Sequence, residues 1–196
     1  MRIISGSHRG HRIQALKGAS LRPTSDQMRE TLFDVLGPSV RDSRFLDAYA
    51  GSGAVGLEAL SRGAKEVVFI EHHRAAYQMI RKNLAALNMQ SGFYLLNSKV
   101  LTALERLDEE GDVFDYVFLD PPYSEVSEYH HALRQLGRSR MLTPSSLVIA
   151  EHSRHCFLED HYNQLERTRC IRHGDTQLTF YRLSQTAAQP PETPDS

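Results

Sequence analysis

The chain has 196 residues, 40% of them hydrophobic and 24% charged, and a net charge of −1. That length suits one domain with a sizeable core, and the near-neutral balance excludes a uniformly polycationic nucleic-acid binder. No apolar run approaches the ~20 residues needed to span a bilayer, the amino end lacks a signal-like apolar stretch, and the two cysteines, Cys156 and Cys170, lack CxxC spacing; a reducing cytoplasm is the expected compartment.

Residues 1–22 carry Arg2, Arg9, Arg12, Lys17 and Arg22 with no acidic residue. Short β-type runs, Arg2–Ser5 and His11–Leu16, are broken by Gly6 and Gly10, which permit tight turns. Two readings stand side by side: a small hairpin that grips phosphates with its cations, or a solvated basic arm. The sheet that follows does not need this segment for completion, which favours the grip.

A helix is expected next, capped by Thr24 with Gln27 three residues on, striped by Met28, Leu32 and Val35, and ended by Gly37-Pro38. Arg29 and Glu30 are assigned to its polar side.

From Arg44 the pattern alternates. Strands are expected at Phe45–Tyr49, Val67–Ile70, Phe93–Leu96, Val113–Leu119 and Leu147–Ala150. The helices between them are Ala54–Arg62, Ala75–Leu87, Leu101–Leu107 and Val126–Leu136. Near-continuous apolar strands separated by helices imply a parallel sheet covered on both faces. Gln164–Ile171 and Gln177–Leu183 flank His173-Gly174-Asp175, a hairpin signal. The last stretch, 184–196, has three prolines and no large apolar residue, and is expected to be disordered.

Gly51, Gly53 and Gly56 form GxGxxG between the first strand and its helix, where a tight turn, ligand approach and close helix–sheet packing each favour glycine. Alone this also suits a dinucleotide-binding enzyme. Asp47 lies four positions before the first glycine, and Glu71, 20 residues after it, ends the second strand, placed to hold both ribose hydroxyls. Asp47, Tyr49, Ala50, Gly51, Ser52, Gly53 and Glu71 are therefore candidate cofactor contacts. At the end of the third strand, Ser98 and Val100 are candidates for the adenine. A backbone N–H there suits a ring nitrogen and an acceptor on Asn97 or Ser98 the amino group, whereas Lys99 cannot accept.

The fourth strand runs into Asp120-Pro121-Pro122-Tyr123. Proline cannot donate to a ladder and fixes its own φ, so the strand stops and holds the Asp120 carboxylate at the sheet edge. A carboxylate, a fixed carbonyl and an aromatic face together suit a planar group bearing an NH2. This tetrad is similar to the Asp/Asn-Pro-Pro-Tyr/Phe motif of methyltransferases acting on exocyclic amines. Ten histidines include no HExxH or comparable spacing, so no metal is expected.

Together, Arg2–Gly6 with Arg9-Gly10, Leu21–Thr24 with Arg29–Phe33, Ala50–Ala64, Asp120–Tyr123 and Gly174–Thr176 resemble the bacterial small-subunit rRNA guanine-N2 methyltransferases over residues 1–183. The resemblance implies an α/β, class I S-adenosylmethionine-dependent methyltransferase (Rossmann-like) fold. Its mostly parallel seven-stranded sheet ends in an antiparallel hairpin and carries a small N-terminal β-hairpin extension. The units are then 1–22, a basic hairpin; 23–183, the methyltransferase domain; and 184–196, the tail. It further implies S-adenosylmethionine as cofactor and the N2 amine of one guanine of 16S rRNA, of the guanine-966 type, as target. Asp120, Pro121, Pro122 and Tyr123 would be catalytic, with Tyr123 stacked on the extruded base, and the five cations of residues 1–22 would bind RNA. A monomer acting on rRNA within a small-subunit particle, away from any membrane, is expected. Where the family commonly has an acid or asparagine after the third strand, this chain has Lys99. Other amine targets, a non-catalytic RNA-binding module and a nicotinamide oxidoreductase remain as alternatives.

Overall fold

The computed structural model describes residues 1–15, 26–122 and 125–184. Lys17, Arg22, the Thr24 cap, Tyr123 and the tail from 185 onward lie outside the described residues.

After α1 (Asp26–Leu36) and a 3-10 turn (Gly37–Val40), β1 (Arg44–Asp47), α2 (Ala54–Ser61), β2 (Glu66–Ile70), α3 (Arg74–Ala86), β3 (Phe93–Leu96), α4 (Val100–Glu109), β4 (Tyr116–Leu119), α5 (Val126–Leu136) and β5 (Leu147–Ser153) alternate as expected. Then come β6 (His161–Tyr162), β7 (Leu165–His173) and β8 (Thr176–Leu183). The sheet order is β3-β2-β1-β4-β5-β8-β7-β6, parallel through β5 and antiparallel beyond it. The seven expected strands are all present, and the two-residue β6 adds an eighth at the edge. So short a run carries no readable alternation, which is why the sequence did not reveal it.

Alternate residues of each apolar strand feed opposite faces. Phe45, Val67, Phe69 and Phe118 join α1, α2 and α3 in one cluster, while Leu46, Val68, Ile70 and Val117 join α4 and α5 in the other. The chain reverses direction across the sheet between β1 and β4, so their carboxyl ends border the crevice where such sheets bind ligands. Ala48 N–H donates to the Phe118 carbonyl at 3.0 Å and closes the two strands together there.

One expectation is corrected, and one of two alternatives is set aside. Arg29 is not on a polar face: it is fully buried, with Nη2 donating to the Arg2 carbonyl at 2.9 Å and to Asp26 Oδ1 at 2.7 Å. Nor are residues 1–15 a solvated arm. They form one antiparallel bridge, Arg2 opposite Arg12, and bury Ile3 and Ile13 in the core. Two such side chains stabilise the docking by about 1.5–3 kcal/mol each.

The reason lies in α2. Seven of its eight residues are buried, among them the polar Glu58 and Ser61, whose buried groups need hydrogen-bond partners. The segment supplies them. The buried Glu58 carboxylate accepts the backbone N–H groups of Ile4 and Ser5 at 2.8 and 3.0 Å. Ser7 N–H donates to the Ser61 carbonyl at 2.8 Å. A Cβ on Gly6 would overlap the Ser61 backbone, so only glycine allows this approach.

Candidate active site

The glycine loop leaves β1 and enters α2. Gly56 lies against the Phe69 ring and the Val67 side chain of β2, with no room for a Cβ. Behind the loop the Asp47 carboxylate is almost fully buried and accepts Gly56 N–H at 2.9 Å. Burial raises its pKa to about 7, the Gly56 N–H opposing this and the nearby Glu71 charge adding to it. Asp47 is therefore a support of the loop, held from beneath.

Glu71, at the end of β2, uses both carboxylate oxygens on backbone N–H groups: Oε2 takes Gly51 at 2.9 Å and Oε1 takes His73 at 2.6 Å. A carboxylate has about four lone-pair sites, so two remain for hydroxyl donors. Ala50 N–H reaches the Ile70 carbonyl at 3.0 Å and Gly53 N–H the Ala50 carbonyl at 2.7 Å. The predicted residues Asp47, Ala50, Gly51, Ser52, Gly53 and Glu71 thus form one constellation.

The third strand's end is less committed. Asn97 donates its amide to the Glu71 carbonyl at 3.1 Å, and Ser98 its hydroxyl to the Lys99 carbonyl at 3.1 Å. Lys99 is exposed at the start of α4, and Val100 is buried as its first residue.

Asp120 follows β4, half-buried. Leu119 pairs with Ala150, so Asp120, just past the end of β4, lies beside the buried Glu151 of β5. Pro121 is buried, and Glu125 N–H donates to the Pro122 carbonyl at 2.8 Å, fixing the turn into α5. Tyr49 does not stand free at the crevice. Its hydroxyl donates to Glu128 Oε2 at 3.1 Å, and burial first, then the Glu128 charge, pushes its pKa up.

Several groups escaped the sequence reading. Tyr129 donates to the Glu151 carbonyl at 2.6 Å and approaches the Pro121 carbonyl at 3.4 Å, bracing the ends of β4 and β5. Arg29 feels Asp26, Glu58 and Glu151 electrostatically, and its Nε and Nη1 have no hydrogen-bond partner among the described residues. Asn83 on α3 bonds to both the amino-terminal segment and the glycine loop. Its signal was legible: a polar residue inside the stripe Ala76, Ile80, Leu84 and Leu87.

Arg2, Arg9 and Arg12 are exposed and form no ion pair with the described residues. Across the bridge Arg2 directly faces Arg12, an arrangement of like charges that costs stability unless an anion lies over it. No group of three or more metal-capable side chains occurs among the described residues.

The family model described as conserved hypothetical protein 95 matches residues 1–182. A Bacillus subtilis protein, YlbH, named as a candidate rRNA methyltransferase, is 34% identical over 182 residues, covering 93% of this chain and 98% of its own. Ribosomal RNA small subunit methyltransferase D of Haemophilus influenzae is 38% identical over 152 residues, 77% of this chain and 78% of its own. Among solved structures, yhhF of Escherichia coli, titled as a candidate methyltransferase, superposes with a TM-score of 0.82 at 32% identity, covering 93% of this chain and 97% of that one.

Proposed function

The chain belongs to the conserved hypothetical protein 95 family, the family of ribosomal RNA small subunit methyltransferase D, and from that premise we propose that it methylates the exocyclic N2 amine of one guanine in 16S rRNA. At the coarser level it is an S-adenosylmethionine-dependent rRNA methyltransferase. The observation that carries the finer reading is the juxtaposition at the β1/β4 crevice: the glycine loop on one strand end, Asp120-Pro121-Pro122 on the next.

The residues present fit the cofactor. Glu71 borders the loop, and an acidic group suits a ligand carrying sulfonium and ammonium charges. Glu71 would hold the ribose hydroxyls with its remaining lone pairs, and the Gly51–Gly53 backbone would flank the amino-acid end. When bound, S-adenosylmethionine supplies an electrophilic methyl group.

The protein's own task is then positioning. Asp120 accepts a hydrogen bond from the target N–H and keeps the amine in one orientation, aided by the Pro121 carbonyl. Its carboxylate would also be available to take the proton released once the amine becomes cationic. Tyr123 would stack on the extruded base, a contact worth roughly 1–3 kcal/mol that offsets part of the flipping cost. Arg2, Arg9, Arg12, Lys17 and Arg22 would hold RNA phosphates, which gives the Arg2–Arg12 pair its missing counter-charge. A monomer, working in the cytoplasm on rRNA within a small-subunit particle and at the 966-type guanine, completes the reading.

The test is incubation with labelled S-adenosylmethionine and separate rRNA, particle and DNA fractions, followed by nucleoside analysis. Label in N2-methylguanosine from rRNA or particles supports the reading. Label in N6-methyladenosine, or in protein, overturns it.

A further inference from the structure

Asn83 is 1% exposed, on the inward face of α3, and all three of its amide bonds go to backbone. Its Oδ1 accepts Gln14 N–H at 2.8 Å. Its Nδ2 donates to the Gln14 carbonyl at 3.0 Å and to the Ser52 carbonyl at 2.9 Å. One acceptor and two donors match one N–H and two carbonyls, so these partners also fix which way the amide points. The side chain behaves as a peptide group in a ladder: it pairs with Gln14 like a neighbouring strand and spends its last proton on the glycine loop.

The location matters. Ser52 lies between Gly51 and Gly53, in the stretch that would meet the cofactor. Gln14 belongs to the amino-terminal segment, whose other end is bonded through Glu58 and Ser61 to α2, the helix that this loop starts. The loop is therefore braced on one side by Asp47 and Glu71, and on the other by a segment far away in sequence.

We propose that Asn83 is a positioning residue through which the Gln14 backbone sets the shape of the cofactor loop, making the amino-terminal segment part of the S-adenosylmethionine site. This rests on the cofactor occupying the Gly51–Gly53 loop, as proposed above. It assigns residues 1–15 two separate tasks. Their backbone supports the cofactor loop, and their exposed cations remain available to RNA. The relay also links the two sites, because a change in the path of the segment at Gln14 reaches Ser52 through the buried Asn83 amide.

Calorimetric titration with S-adenosylhomocysteine tests this without any RNA. Wild type, Asn83→Ala, Gln14→Pro, Gln14→Ala and the Asn83→Ala/Gln14→Pro pair are compared, with thermal melting to confirm folding. Gln14→Pro deletes the donated N–H, whereas Gln14→Ala removes only an exposed side chain. Asn83→Ala should weaken binding by about 10-fold and Gln14→Pro by about 3-fold, the range of one net hydrogen bond. The pair should be no weaker than Asn83→Ala alone, and Gln14→Ala should match wild type. At saturating S-adenosylmethionine the kcat of Asn83→Ala should equal that of wild type, the loss lying in cofactor KM. Wild-type affinity in Asn83→Ala or in Gln14→Pro, or losses that add in the pair, would overturn the proposal. A wild type that binds no S-adenosylhomocysteine would instead remove the cofactor assignment on which it rests.

Discussion

Gly51 N–H points at Glu71 Oε2 from 2.9 Å, so the carboxylate proposed to hold the ribose also holds the loop beneath it. The other oxygen takes His73 N–H at 2.6 Å and starts α3. One side chain thus aligns the first strand's loop with the second strand's end.

Glu71→Ala should therefore lose S-adenosylmethionine affinity by at least the 1.5–3 kcal/mol or so typical of hydrogen bonds to a charged group. Glu71→Gln should fall between, because its NH2 would face one of two backbone donors. Titration calorimetry reads both. Affinity of Glu71→Ala within about two-fold of wild type, roughly 0.4 kcal/mol, would remove Glu71 from the site.

Asp120→Ala should lower turnover by about 10²-fold or more, the usual scale for a positioned proton acceptor. S-adenosylmethionine affinity should hardly move, since Asp120 is proposed to face the amine and not the cofactor. Asp120→Asn keeps an acceptor oxygen and should retain part of the rate. Single-turnover assays on rRNA or particles measure it, and turnover close to wild type in Asp120→Ala would place the active site elsewhere.

Replacing Arg2, Arg9 and Arg12 together by Ala should weaken RNA binding and flatten its salt dependence. The slope of log affinity against log salt should drop by roughly 0.7–0.9 for each phosphate that is no longer neutralised. These side chains are exposed, so S-adenosylhomocysteine affinity should stay put. Binding titrations at several salt concentrations decide the matter. An unchanged slope with unchanged affinity would leave the Arg2–Arg12 pair without the anion proposed to lie over it.

Asp47 makes a pH prediction. Its carboxyl is raised from an ordinary 3.8 to about 7 by burial, so the folded protein holds this proton where the unfolded chain has released it. The sign follows: its contribution is complete below 3.8 and fades as pH climbs towards about 7. Denaturant melts of wild type and Asp47→Asn between roughly pH 4 and 8, which spans the interval between the two values, isolate this group. Wild type should lose stability relative to Asp47→Asn as pH rises, by on the order of a few kcal/mol. A difference that stays flat, or that grows in the opposite sense, would contradict the buried placement of this carboxyl.

What the sequence by itself determined is local. Apolar runs of strand length separated by 3.6-period helices dictated the parallel sheet, since each pattern is written within a few neighbouring residues. Gly51, Gly53 and Gly56 mark a place where backbone must turn and approach closely, and two prolines stop β4 beside Asp120 whatever lies around them. The tertiary structure alone decided the rest. That Asp120 emerges beside Glu151 depends on the register of β4 with β5, and that the glycine loop meets it depends on β1 lying between β2 and β4. Arg29 reads as a surface charge on its helix, yet it is buried where the Arg2 carbonyl and the carboxylates of Glu58 and Glu151 converge from other elements and join Asp26 of its own helix. Asn83 lies 69 residues from Gln14 and 31 from Ser52, and a hydrogen bond across such separations leaves no periodic trace in the chain. Charge and composition made the first 15 residues look detachable; the buried Glu58 and Ser61 of α2 take their hydrogen-bond partners from them.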